Sequence, residues 1–156
     1  MIRHLSHGDQ GRESDMTGQA IAKTLGLDEQ GESPMALVEI VRRGLPREAL
    51  EALASSLRVS LSDLAEILPV SPRTLQRYSA SKVRLLPKEL SDHMLQIAKV
   101  YVRALEVFED EERALAWLHA PIMSLGGKVP LSLLDTSAGV DLVMTTLGRI
   151  EYGVFA

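Results

Sequence analysis

The chain has 156 residues, 46% of them hydrophobic but only 4% aromatic, and no cysteine. That length can bury a real core in one domain or two small ones, and the Leu, Ala and Val content suits helices. A disulfide framework, a thiolate nucleophile and a cysteine-ligated zinc are excluded. No apolar run approaches the ~18 residues of a membrane span, and the N-terminal residues lack a signal-peptide core, so a cytoplasmic protein is expected. The net charge of −4 is uneven: residues 42–89 carry 9 basic and 5 acidic side chains, whereas both flanks are acidic.

In chain order, residues 1–33 are polar and rich in Gly, Asp, Glu and Ser, and read as an arm with at most a turn and a half of helix from Ala20 to Gly26. Ser33-Pro34 starts a helix that Gly44 stops after Arg43. A second helix follows from Pro46 to about Arg58, with Leu50, Leu53, Ala54 and Leu57 inward. Residues 59–78 then hold two short helical patterns joined by an abrupt turn, which is how a helix-turn-helix reads. Ser60 caps the first, with Leu61, Leu64, Ala65 and Leu68 on one face. Leu68-Pro69-Val70 breaks the period and Ser71-Pro72 restarts it, a capping side chain followed by proline at the first helical position.

Leu75 anchors this second helix and leaves Arg73, Thr74, Gln76 and Arg77 outward, side chains suited to phosphates and base edges. Arg73, Arg77, Lys82, Arg84 and Lys88 are the charged residues of 71–88, without a single acid. The candidate DNA-binding set is therefore Ser71, Arg73, Thr74, Gln76, Arg77, Lys82 and Arg84, acting in at least a homodimer because such motifs read paired half-sites. The motif ordinarily has glycine four residues after Ala65, in a left-handed conformation. Pro69 stands there and cannot adopt it, so the turn must be built differently and the recognition helix tilted.

Lys82 to Lys88 is a basic connector closed by Pro87. From Ser91 to Phe108 the apolar residues keep the helical period over a helix that joins the two halves. Asp110 caps a shorter helix through His119, ended by Pro121, and Trp117 should wedge where it meets the final helix. Residues 122–130 form a turn-rich loop and Pro130 to Leu134 one helical turn. The last helix runs from Ser137 to about Tyr152, with Val140, Val143, Met144, Leu147 and Ile150 buried.

Catalytic constellations are missing. Leu125-Gly126-Gly127-Lys128 fails as a phosphate loop, because Ile122 and Val129 stand where that motif needs glycine and Ser or Thr, so a tight turn is the better reading. His4, His7, His93 and His119 have no carboxylate at ligand spacing. Asp110-Glu111-Glu112 is charge favourable to a helix start. No catalytic residue, metal or cofactor is expected.

Trp117-Leu118, Pro121, Leu125-Gly126-Gly127-Lys128, Pro130-Leu131, Leu134, Thr136, Gly139, Val143, Leu147, Arg149-Ile150 and Tyr152-Gly153 form a specific pattern. It resembles the toxin-binding domain of the Xre/MbcA/ParS antitoxins, which in that family follows an Xre-type helix-turn-helix, the order found here. The resemblance covers roughly residues 35–156, leaving the arm over 1–33 outside it, and implies an all-α fold: an Xre-like helix-turn-helix domain over 34–88 and a small helical toxin-binding or dimerisation domain over 89–156. It further implies a type II toxin–antitoxin system. The partner would be a RES-domain toxin that consumes NAD⁺ or uses it for ADP-ribosylation, the antitoxin C-terminus would lie at that toxin's active-site cleft, and the first domain would repress the operon by binding operator DNA. On this sequence the toxin-facing residues would be Arg149, Glu151, Tyr152, Gly153, Val154, Phe155 and Ala156. Tyr152 and Phe155 are two of five Tyr and Phe residues placed beside a chain end, where aromatic side chains serve as anchors for a partner or fold back as core. The residues alone also admit a stand-alone transcriptional regulator whose C-terminal half only dimerises it.

Overall fold

The computed structural model describes residues 7–27, 33–80 and 84–153. They form helices α1 (His7–Thr24), α2 (Pro34–Arg43), α3 (Glu48–Leu57), α4 (Leu61–Glu66), α5 (Pro72–Ala80), α6 (Lys88–Phe108), α7 (Glu111–His119) and α8 (Ser137–Glu151). Two 3-10 turns, Met123–Leu125 and Pro130–Leu133, lie between α7 and α8, and no β-strand occurs among the described residues. None of these helices is long and apolar enough to cross a membrane.

The expected helix starts hold because their first-turn amides find side-chain acceptors. Ser33 accepts from the Ala36 amide at 3.1 Å, Ser60 from Asp63 at 3.0 Å, Ser71 from Thr74 at 3.1 Å and Asp110 from Arg113 at 2.9 Å. Each such cap is worth about 1 kcal/mol. Gly44 stops α2 as expected, its amide bonding back to Ile40 and Val41.

The arm expected over residues 1–33 needs correction. In its described part the chain forms the 18-residue α1, whose C-terminal third buries Ile21 and Ala22, followed by the buried Leu25 and Leu27. α1 packs on α6, α2 and α3. Gly8, Gly11 and Gly18 lower its intrinsic helicity, so its stability comes from this docked end and not from propensity.

α6 is the spine. It packs against α1, α2, α3, α7 and α8, and it buries Met94, Ile97, Ala98, Val100 and Ala104 completely. One continuous core results, running from Ile21 to Leu147. Trp117 packs half-buried against it, as expected of a core residue, and its ring meets that of Phe108 at the end of α6, with centroids 5.9 Å apart.

Candidate functional site

α4 and α5 pack closely on each other through Leu64, Ala65 and Leu75, all buried. The turn between them solves the Pro69 problem without a left-handed residue. The Val70 amide donates to the Leu68 carbonyl at 2.8 Å, a three-residue turn centred on Pro69, and no residue from Glu66 to Ser71 has positive φ. Such a turn needs a central φ near that to which proline is locked.

On α5 the structure sorts the expected side chains. Arg73, Gln76 and Arg77 are exposed, and neither arginine forms an ion pair among the described residues. Arg77 lies 6.0 Å from the Tyr78 ring centroid. Ser71 and Thr74 are engaged with each other: the Ser71 hydroxyl donates to Thr74 Oγ1 at 2.9 Å while accepting from the Thr74 amide. Their first duty is to hold the start of the helix. Arg84 is exposed on the connector, whose backbone is sewn to the α2–α3 loop by Leu86 N–H to the Leu45 carbonyl (2.8 Å) and Arg47 N–H to the Arg84 carbonyl (3.4 Å). Lys82 lies outside the described residues.

The C-terminal region is built on a close approach. Thr136 caps α8 by accepting from the Gly139 amide at 3.0 Å, and a Cβ at residue 139 would overlap the Leu133 carbonyl oxygen, so only glycine lets α8 start against the preceding 3-10 turn. Gly126 and Gly127, with φ of +67° and +76°, close a tight turn in which Ile122 and Lys128 are bridged by backbone, the Ile122 amide donating to Lys128 at 3.0 Å. That is the turn expected in place of a phosphate loop. At its far end α8 carries exposed Arg149, then Glu151, then Tyr152, which is 78% exposed and so does not fold back as core. Gly153 is exposed with φ +69°. Val154, Phe155 and Ala156 lie outside the described residues. Glu151 does not point away with Tyr152; its carboxylate pairs with Arg103 of α6 at 2.5 Å.

Residues 36–99 match the model of the antitoxin Xre-like helix-turn-helix domain, and residues 103–153 match that of the antitoxin Xre/MbcA/ParS C-terminal toxin-binding domain. The chain belongs to the Xre/MbcA/ParS family of antitoxins. Among curated relatives, the antitoxin Xre of Yersinia enterocolitica is 27% identical over 77% of this chain and 81% of its own length. The antitoxin Xre of Photorhabdus laumondii is 29% identical over 74% and 78%. The Prs ADP-ribosylating antitoxin of a Sphingobium strain is 26% identical over 80% and 83%. A chain of the M. tuberculosis MbcT–MbcA toxin–antitoxin complex shares the fold, with a TM-score of 0.50 and 20% identity over 70% of this chain and 96% of that one.

In this antitoxin the two matched regions meet within α6, and polar links across that boundary were not visible in the sequence. The buried His93 donates from Nε2 to the Leu134 carbonyl at 2.6 Å, and His119 donates from Nε2 to the Leu57 carbonyl at 2.8 Å. Both histidines therefore tie the halves together; no cluster of metal-ligating groups exists among the described residues. Arg58, left-handed at φ +54° where α3 ends, sends its guanidinium to Glu112 at 2.5 Å and Glu111 at 3.6 Å at the start of α7. The hydrogen bond from Arg58 holds the Glu112 carboxyl below its ordinary range. A run of acids beside a helix start hinted at dipole stabilisation; the arginine partner, 54 residues before Glu112, carries no local signal.

Proposed function

We propose that this antitoxin neutralises a cognate RES-domain toxin by direct binding, with its C-terminal segment from Arg149 to Ala156 at the toxin's NAD⁺ cleft, and represses its own operon by binding operator DNA as a homodimer. It acts by binding and not by catalysis. The observation that carries this reading is Tyr152: a large aromatic side chain, 78% exposed, at the end of a helix that belongs to a domain matched to toxin-binding family members. Exposed aromatics of this kind supply binding energy when a partner's pocket excludes water around them. Arg73, Gln76 and Arg77 on α5, with Arg84 and Lys82 on the connector, supply the second surface, and the acid-free run over residues 71–88 attracts phosphates. A relative named for ADP-ribosylation supports an NAD⁺-using partner.

The test is NAD⁺ consumption by the toxin encoded beside the antitoxin, with full-length protein and with a chain ending at Glu151, alongside a promoter shift assay. The truncated chain keeps the buried face from Val140 to Leu147, so operator binding is expected to survive while inhibition falls sharply. Full inhibition by the truncated protein would move the inhibitory surface elsewhere, with the turn at residues 125–130, exposed at 126–128, the next candidate. A toxin untouched by the full-length chain would leave a plain regulator.

A further inference from the structure

Glu151 is the last residue of α8, where the helix dipole disfavours a negative charge. A nearby cation offsets that cost, and Arg103 of α6 supplies one at 2.5 Å. Arg103 is itself held: its guanidinium also meets Glu106 at 3.3 Å, and Glu106 accepts a hydrogen bond from Thr17 of α1 at 3.1 Å. The Arg103 side chain is only 24% exposed, and Glu151 35%, so solvent screens this pair less than the outer pairs of the molecule. A line of contacts thus runs Thr17–Glu106–Arg103–Glu151 from α1, across α6, to the residue that precedes Tyr152. These four side chains line a groove of about 650 Å³ together with Met16 and Ile150.

From this we propose that Arg103 is a positioning residue for the toxin-binding end, and that α1, which lies outside both family-matched regions, braces it through Thr17 and Glu106. The inference rests on the reading that the C-terminal segment inhibits the toxin. The last turn of an isolated helix frays, and an ion pair to a neighbouring helix removes that freedom before a partner arrives. Tyr152 then has fewer conformations to lose on binding. Glu151, on this account, works inside the antitoxin and is not a contact to the toxin.

The experiment measures inhibition of the toxin's NAD⁺ consumption by full-length variants Arg103→Gln, Glu151→Gln, the double variant, the charge-reversed pair Arg103→Glu/Glu151→Arg, and Thr17→Val. Each single loss is expected to weaken inhibition by about threefold to tenfold, the double no more than either alone, and the reversed pair to recover much of the loss. Thr17→Val should give a smaller loss in the same direction. Operator binding by every variant, read on the same preparations, should match wild type. Glu151→Gln weakening inhibition while Arg103→Gln leaves it intact would overturn the proposal and make Glu151 a direct contact. Additive losses without recovery in the reversed pair would also overturn it. A Tyr152→Ala chain that inhibits as well as wild type would instead remove the underlying C-terminal reading.

Discussion

A methyl group added at Gly139 would overlap the Leu133 carbonyl oxygen. Glycine to alanine inside a helix ordinarily stabilises by up to about 1 kcal/mol, so the sign here should be reversed. Gly139→Ala is expected to destabilise the chain by about 2–3 kcal/mol, the cost of forcing a close-packed contact apart, as urea denaturation would show. Gly148 of the same helix has open space around its Cβ position, and Gly148→Ala should stabilise or leave stability unchanged. On α5 the expected outcomes concern DNA. Arg73→Ala or Arg77→Ala should cost about 1–3 kcal/mol if the side chain reads a base edge. Loss of a phosphate contact should instead lower the salt slope by about one counterion. A promoter shift assay at several salt concentrations separates the two, and wild-type binding by both variants would remove α5 from the operator.

Among the elements, α1 and the α3–α7 junction yield the sharpest expectations. Leu25, the first residue after α1, is 1% exposed where that helix docks. Leu25→Ala should cost about 2–5 kcal/mol, as in any tight core, whereas an undocked arm would show almost nothing. At the junction, Glu112's carboxyl is held below its ordinary value near 4.5 by the hydrogen bond from Arg58. A depressed carboxyl contributes stability that is fully present above the unfolded-state value and is lost as pH falls through the folded one. Glu112→Gln should therefore lower stability near neutrality and flatten its decline below pH 4.5, measured by denaturation across pH. These two elements also mark the limits of reading by sequence. Caps such as Ser60 and Asp110 were legible because a helix start is decided within four residues. α1 was not, because its stability comes from residues packed against it from α2, α3 and α6, which no local window contains. Tyr152 was legible as a candidate anchor from its place near the chain end, while the inward turn of Glu151 depends on Arg103, far off in sequence.

Across the whole molecule, the helix-turn-helix and toxin-binding regions share a single core and are stitched by His93, His119 and Arg58. Thermal unfolding followed by Trp117 fluorescence and by far-ultraviolet circular dichroism is expected to give one coincident transition, and two separated transitions would show that the halves fold independently. α6, through its 21 residues, contains neither glycine nor proline. Helices bend sharply at such residues, and here nothing supplies a joint. Lys88, beside the connector that follows α5, and Arg103, beside the end of α8, therefore stand a set interval apart, roughly 22 Å at 1.5 Å per residue. On the function proposed above, a toxin held at one end would sit at a constant offset from DNA held at the other, as objects do on a ruler. If that function holds, the fit of two toxins over neighbouring half-sites would be a matter of bulk and spacing, and news of toxin supply would reach the promoter through which assemblies can physically be accommodated there.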